Sequence, residues 1–302
     1  MIPEFPEFKN LELSDKEDVE KFTGKFPPYS DFNFVSMLSW DIKGEMRLSQ
    51  LYGNLVVRFT DYVTGKPFYS FLGDNKVENT TKEILALAKK EGLEIKLKLL
   101  PEDSIKSIDS QEFSVKEDID NFDYIYEIAS LAQVKGGVYE SQRNSINKFL
   151  KNYKKWEVKT INLSEIYGKN SVLTLFTKWV RNKGDSMLLE EYKNEFLALN
   201  KLLSISDTIK SNLICFALYV DEKLIGFIIN ECVNNEYDII HFEKADTSFK
   251  GCYSFLMNQN AKNLSDLNVK YLNFEQDLGI DALRFTKTKF SPSNFLKKYT
   301  IT

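Results

Sequence analysis

LICFALYVDEKLIGFIINECVNNEYDIIHF, residues 213–242, decides the fold. Three runs rich in Ile, Val, Phe and Tyr are punctuated by DEK (221–223) and NNE (234–236), short polar segments of turn composition. Such a pattern describes strands joined by tight connections, an antiparallel meander. Beyond it, Cys252 to Leu264 has helical apolar spacing, and VKYLNF (269–274) is a further strand candidate.

Working outward, the same order recurs upstream. Strands are expected at Glu45 to Leu51, Leu55 to Phe59 and Phe68 to Leu72, then a helix from Thr80 to Lys90 stopped by Gly92. Leu93 to Leu99 follows as a half-buried strand, because Ile95, Leu97 and Leu99 alternate with Lys96 and Lys98. The turn-to-helix distance is 27 positions in one half (Gly53 to Thr80) and 30 in the other (Glu222 to Cys252). An internal structural duplication accounts for the match, as would two α+β domains sharing a motif by chance. Helical spacing at Val172 to Asn182 and Leu189 to Leu203 precedes the second meander.

A helix pair, a three-stranded meander, a helix and one more strand is the order of a GNAT-type acyltransferase. The expectation is an α+β fold with two tandem GNAT-like domains, each a mixed, mostly antiparallel sheet flanked by helices. The first would cover residues 1–134 and the second residues 135–302, with the charged motifs in the second and a cleft between the two as ligand site.

The totals fit a globular chain: 302 residues, 43% hydrophobic, 28% charged, net charge −4. That balance argues against a general nucleic-acid coat protein. Charge is uneven, however. Residues 101–134 carry nine acids against two lysines, while 135–159 carry seven cations against two glutamates. No apolar run approaches the ~20 residues of a membrane helix, and the first residues lack a secretory pattern, so a cytoplasmic protein is expected. Three cysteines without ligand spacing and a single histidine argue against a disulfide framework, a zinc hydrolase and a His-metal cluster. No metal is expected. Walker, dinucleotide-binding, HExxH and nucleophile-elbow motifs are absent from the sequence.

HFEKAD (241–246), FKGCYSFLMNQNAK (249–262) and EQDLGIDALR (275–284) together resemble a bacterial family of soluble proteins. That family is related to the C-terminal domain of phosphatidylglycerol lysyltransferases. The tail KTKFSP (287–292) with Tyr299 is similar to that enzyme's closing motif, and FDYIYEIASLA (122–132) and RNSINKF (143–149) to the family's middle signature. The resemblance implies a tandem GNAT-like fold and kinship to enzymes that move an amino acid from aminoacyl-tRNA to an amine or hydroxyl. Two departures stand out: Glu140 falls where a cation is expected, and Lys289 where a small residue is expected. The membrane-spanning half of the lipid-modifying enzymes has no counterpart in these residues, and peripheral membrane contact is not expected.

The candidate site gathers at the ends of two adjacent strands. Glu243 would take a proton from an attacking amine, provided burial raises its pKa toward neutrality; Glu275 is the second catalytic candidate. Strand alternation would put Glu275 and Asp277 on one face near Glu243, to hold an α-ammonium. Arg284 and Lys287, three apart on a helix, would hold phosphate or carboxylate oxygens. His241 and Lys244 complete the substrate-binding candidates. Taken singly, each has a plainer role: a surface ion pair, a satisfied strand histidine, cations at a helix end. Arg143, Lys148 and Lys151 offer a cationic face for tRNA backbone, or merely a solvated one. SFKGCYS (248–254) keeps Lys250 and Gly251 of a pyrophosphate-binding turn but puts Tyr253 where a second small residue would allow approach, so acetyl-CoA is a poorly supported cofactor.

The function expected is aminoacyl or acyl transfer from an activated ester, aminoacyl-tRNA being one donor, to a small-molecule or peptide acceptor. The competing expectations are a non-catalytic module binding an amino compound or peptide, and a coenzyme A-dependent N-acetyltransferase.

Overall fold

In the computed structural model, which describes residues 1–61, 64–106, 108–109, 111–182, 192–209 and 212–302, the segment 213–242 does form a meander. Leu213–Val220 pairs antiparallel with Lys223–Cys232. Their two-residue turn places Asp221 and Glu222 at φ 47° and 64°, the left-handed pair that matches the twist of a tight hairpin. Lys223–Cys232 pairs antiparallel with Tyr237–Ala245; the helix Cys252–Asp266 follows, and Tyr271–Asn273 returns parallel to Tyr237–Ala245.

The first half repeats this topology. Arg47–Leu51, Asn54–Thr60 and Pro67–Leu72 form an antiparallel meander. After the helix Val77–Lys90, the strand Leu97–Pro101 pairs parallel with Pro67–Leu72. This strand starts later than its alternation suggests: Lys96 N–H closes a turn onto Glu94 O, and Ile95 is left exposed. The architecture is α+β, two mixed seven-stranded sheets flanked by helices, with the same meander, helix and parallel strand in both halves.

Each sheet takes an antiparallel neighbour for its post-helix strand from far along the chain. Lys298–Ile301 lies beside Leu97–Pro101, and Asp123–Glu127 beside Tyr271–Asn273. Two compact units result. One is Met1–Asp123 with Gln276–Ile280 and Phe295–Thr302; the other is Tyr124–Glu275 with Asp281–Asn294. The expected division at 134/135 differs from this one. Tyr124, Tyr126, Ile128 and Leu131 pack in the same core as Phe149, Phe255 and Leu272, because their strand pairs with Tyr271–Asn273 and their helix packs on Cys252–Asp266.

The first unit's core joins Val56, Tyr69, Phe71, Ile84, Leu97 and Ile301. It also holds a closed charge cluster. The fully buried Lys298 ammonium is paired with Asp31 and with Asp123 Oδ1 at 2.7 Å. Ser30 donates to Asp123 through its hydroxyl (2.6 Å) and its backbone N–H (2.8 Å). Burial works against the Lys298 charge, yet the two carboxylates hold its pKa above the ordinary lysine value.

In the second unit the helices Ile166–Arg181 and Lys193–Ile205 precede the meander; of the expected Leu189 to Leu203 helix, Leu189 to Glu191 lie outside the described residues. The helices Glu140–Asn152 and Cys252–Asp266 pack through a stacked Phe149–Phe255 pair, centroids 4.3 Å apart.

Candidate active site

Strand divergence makes the candidate site. Parallel pairing to Tyr271–Asn273 stops at Ile239–Asn273, whereas Tyr237–Ala245 runs on through the residues singled out from the sequence. Register on its other edge slips once: Ile229 faces Phe242 but Asn230 faces Ile240, so His241 is the extra residue of a β-bulge. Bulges re-aim side chains. His241 thereby meets two carboxylates: Nε2 lies 3.1 Å from Glu231 Oε2, and Nδ1 lies 3.8 Å from Glu275 Oε1. Burial pulls its pKa down, but the hydrogen bonds and charges of Glu231 and Glu275 prevail and lift it to about 9. The imidazole is therefore a cation at neutral pH.

Glu243 is different. Its side chain retains some surface, yet Oε1 is sealed from solvent and, among the described residues, has no hydrogen-bond partner. Burial raises its pKa to about 8, with Lys244 and Lys287 pulling the other way. Tyr126, Cys252 and Tyr253 all feel the Glu243 charge. A buried acceptor without a donor costs ~1–3 kcal/mol, and such a group in a protein is a candidate for a ligand's donor.

Lys244, next along the strand, turns to the opposite face as alternation requires. It ion-pairs with Glu195 at 2.5 Å and lies 4.5 Å from the Trp179 ring centroid and 5.7 Å from that of Phe176. Those contacts account for it as a packed, paired lysine.

Glu275 and Asp277 depart from the expected alternation, because the strand ends at Asn273. The backbone then turns, with Glu275 at φ 52° and Leu278 at φ 57°. Asn273 Oδ1 accepts the Glu275 N–H at 2.7 Å. Asp277 is buried and its Oδ1 accepts the Gly279 N–H at 2.8 Å, an Asx-type turn. The Gln276 side-chain amide, in the same unit as Asp277, lies 2.7 Å from the Ser30 hydroxyl oxygen and donates to Asp31 at 3.3 Å.

On the helix Asp281–Lys289, Arg284 is half-exposed and Lys287 is buried. The Lys287 ammonium donates to Phe274 O and sits 4.4 Å from the Phe274 ring centroid. Tyr126 donates its hydroxyl to Lys287 O at 2.8 Å, fixing the helix to the strand beside the site.

The remaining candidates stand apart from Glu243. Arg143 Nη1 donates to Val134 O (2.7 Å) and Gly136 O (2.5 Å), closing the end of the helix Ile128–Gln133. Lys148 and Lys151 are exposed. Lys148 borders an open depression of about 590 Å³ with Gly137, Glu140, Ser141 and Asn144; Glu243 is not among its walls. Lys250 is exposed, its N–H donating to the Tyr153 hydroxyl at 3.2 Å. Gly251, at φ +86°, is required by helix packing: a Cβ there would sit 2.2 Å from Ser145 O. A glycine that admits a pyrophosphate needs open space, and the chain's own carbonyl fills it.

Tyr253, which the sequence offered only as an obstruction beside Gly251, feels the Glu243 charge, and so does Tyr126. Among the described residues, no cluster of His, Cys, Asp and Glu could hold a metal ion, and no helix is long and apolar enough to cross a membrane.

With this geometry in place, the comparisons are specific. A family model described as phosphatidylglycerol lysyltransferase, C-terminal, matches residues 28–302. A conserved protein of unknown function from Bacteroides thetaiotaomicron superposes over 100% of this chain and 99% of its own, with TM-score 0.82 and 26% identity. The C-terminal domain of a putative lysylphosphatidylglycerol synthetase from Agrobacterium fabrum covers 96% and 92%, with TM-score 0.61 and 12% identity. L-PGS from Bacillus licheniformis covers 100% and 93%, with TM-score 0.60 and 14% identity. The last two show a shared fold. An uncharacterized protein from Mycoplasmoides gallisepticum is 23% identical over 178 residues, 59% of this chain but 55% of that protein, so the match spans about half the relative's length.

Proposed function

Because the chain belongs to the family described as phosphatidylglycerol lysyltransferase, C-terminal, we propose that it is an acyltransferase that moves an aminoacyl group from an activated ester to an amine or hydroxyl. Aminoacyl-tRNA is the donor this reading favours. The observation that carries it is Glu243, a sealed carboxylate oxygen without a donor on a carboxyl whose pKa is lifted to about 8.

In this mechanism the acceptor's amine or hydroxyl attacks the ester carbonyl carbon. Its proton passes to the Glu243 carboxylate as the new bond forms. The tetrahedral intermediate collapses, the ribose oxygen leaves, and Glu243 returns the proton to it. No covalent nucleophile is needed, since holding donor and acceptor together can itself supply several kcal/mol. With a pKa near 8, about a tenth of the carboxyl is ionised at pH 7, so turnover should climb as pH rises toward 8. Arg284, half-exposed one helical turn from Lys287, is assigned to the donor's phosphate oxygens, and Glu275 beside the His241 cation to orientation of the acyl group's ammonium. The filled space at Gly251 speaks against coenzyme A as the acyl carrier.

The test is transfer of radiolabelled lysine from lysyl-tRNA to phosphatidylglycerol vesicles and, separately, to a panel of small amines and peptides. Wild-type turnover that falls at least ~100-fold in Glu243→Gln, with ligand affinity retained, is expected for loss of a general base. Binding without turnover in either form would instead establish a binding module.

A further inference from the structure

Glu231, buried on the strand Lys223–Cys232, belongs to none of the motifs above, and the proton path does not use it. We propose that Glu231 is a positioning residue that sets specificity. By holding His241 from the closed side, it leaves Glu275 to take the free α-ammonium of an aminoacyl donor and to discriminate against a donor whose α-amine is blocked. The inference rests on the transferase reading and names the residue that fixes the charge of its donor site.

Three observations carry it. First, the three side chains form a row. Glu231 stands opposite Ile239, two residues before His241, and a diagonal reach across the two strands brings its carboxylate to the ring. Glu231 Oε2 lies 3.1 Å from His241 Nε2, and His241 Nδ1 lies 3.8 Å from Glu275 Oε1. A neutral imidazole has one N–H and would turn a lone pair toward one of these carboxylates, whereas the imidazolium presents an N–H to each. Second, the row runs from closed to open: side-chain exposure is 7% at Glu231, 2% at His241 and 19% at Glu275. A ligand therefore meets the row at Glu275. The backbone there is tied down, its N–H donating to Asn273 Oδ1 at 2.7 Å and its carbonyl accepting the Tyr124 N–H at 3.1 Å. Third, the charges of the row do not cancel. Two carboxylates flank one imidazolium, which leaves one negative charge, the complement of a single ammonium. With Glu231 neutral the count falls to zero, and the ring matches Glu275 by itself.

Asp238, on the same strand as His241, adds nothing to that count. It is fully buried and accepts the Cys232 thiol at 3.4 Å, and burial lifts its pKa well above the ordinary carboxylate range, so it stays protonated. Glu231→Gln is a clean probe of the charge, because the amide keeps an oxygen for the His241 N–H.

The experiment follows lysine methyl ester and Nα-acetyl-lysine methyl ester by NMR titration at about pH 6.5, where a free α-amine is protonated. Transfer kinetics from lysyl-tRNA are measured alongside. Wild type is expected to prefer the free ester by about tenfold, the worth of one charge-assisted contact. Glu231→Gln should reduce that preference to less than about twofold and raise the donor KM more than it lowers kcat. The double variant Glu231→Gln/His241→Gln, which returns one negative charge to the row, should recover most of the preference. A merely structural role predicts the reverse, a double variant worse than the single. Glu231→Gln that keeps the wild-type preference overturns the inference, as does a double variant that melts as a folded protein and recovers none of it. If Glu243→Gln still abolishes turnover in that case, the transferase reading stands. Wild type that binds neither ester and transfers nothing overturns both.

Discussion

Two buried charge sites, one in each unit, obey opposite rules. Around Lys298 every charge has its complement: one ammonium meets Asp31 and Asp123, and Ser30 fills the second carboxylate with two donors. Around Glu243 the complement is missing, since Oε1 is sealed and meets no donor among the described residues. Burial sets both problems, and only one is solved within the protein. A satisfied cluster holds a structure together, while an unsatisfied one costs stability and is kept where a ligand or a reaction completes it. By that criterion the first unit's cluster is architectural, and the second unit's carboxyl is the one we propose to be chemical.

The sharpest way to break this contrast is to remove the complement where it exists. Lys298→Met leaves Asp31 and Asp123 buried without their cation, and breaking a buried pair from one side costs about 3–5 kcal/mol. Urea denaturation should show a loss of that size. A loss under about 1 kcal/mol would mean that the cluster is hydrated or rearranges, and the architectural assignment would fall.

The next effect has the opposite sign. Glu243 rises from its ordinary 4.5 to about 8, so between those values the folded chain holds a proton that the unfolded chain has released. Stability must then decrease as pH climbs through that window. Glu243→Gln removes the penalty. It should match wild type near pH 5 and exceed it by a few kcal/mol above pH 8 in thermal melts, while a separate transfer assay shows its turnover lost. His241 slopes the same way, because its pKa is raised from 6.5 to about 9: its stabilisation is complete below 6.5 and is lost as pH rises through 9. The His241 slope should survive in Glu243→Gln, which separates the two. A variant less stable than wild type at pH 8.5 would show that Glu243 has a structural partner after all.

How much of this was legible in the residues divides along the same line. The meanders, their helices and their parallel strands follow from alternation and turn chemistry, which are local. Glu243 entered as a candidate through its place in HFEKAD and the charged groups expected around it, not through any feature of its own. Three things were not legible. The alternation extended through EQD failed because the strand ends at Asn273 and Glu275 takes a left-handed backbone, which no side-chain period reveals. The exchange of strands, Lys298–Ile301 to the first sheet and Asp123–Glu127 to the second, depends on pairings far apart in sequence. The packing role of Gly251 depends on Ser145, more than a hundred residues away, and so looked like a phosphate loop.

The smallest expected effect concerns the cations that belong to neither cluster. Lys148 and Lys151 are exposed on the helix Glu140–Asn152, where solvent already satisfies them. Replacing both with glutamate should change stability by no more than about 0.5 kcal/mol, as for surface positions generally. If this face meets tRNA backbone, the same pair should lower tRNA affinity and flatten its dependence on log salt by about one unit per lysine, uniformly across tRNA sequences. Arg143 is the internal control, since its guanidinium is spent on Val134 O and Gly136 O. Arg143→Gln should cost stability and leave the salt slope alone. A salt slope unaltered in the lysine pair would make this face a solvated surface and move any tRNA contact elsewhere. The distinction drawn from Lys298 and Glu243 would then hold at a third site: a charge already satisfied, here by water, gives no evidence of function.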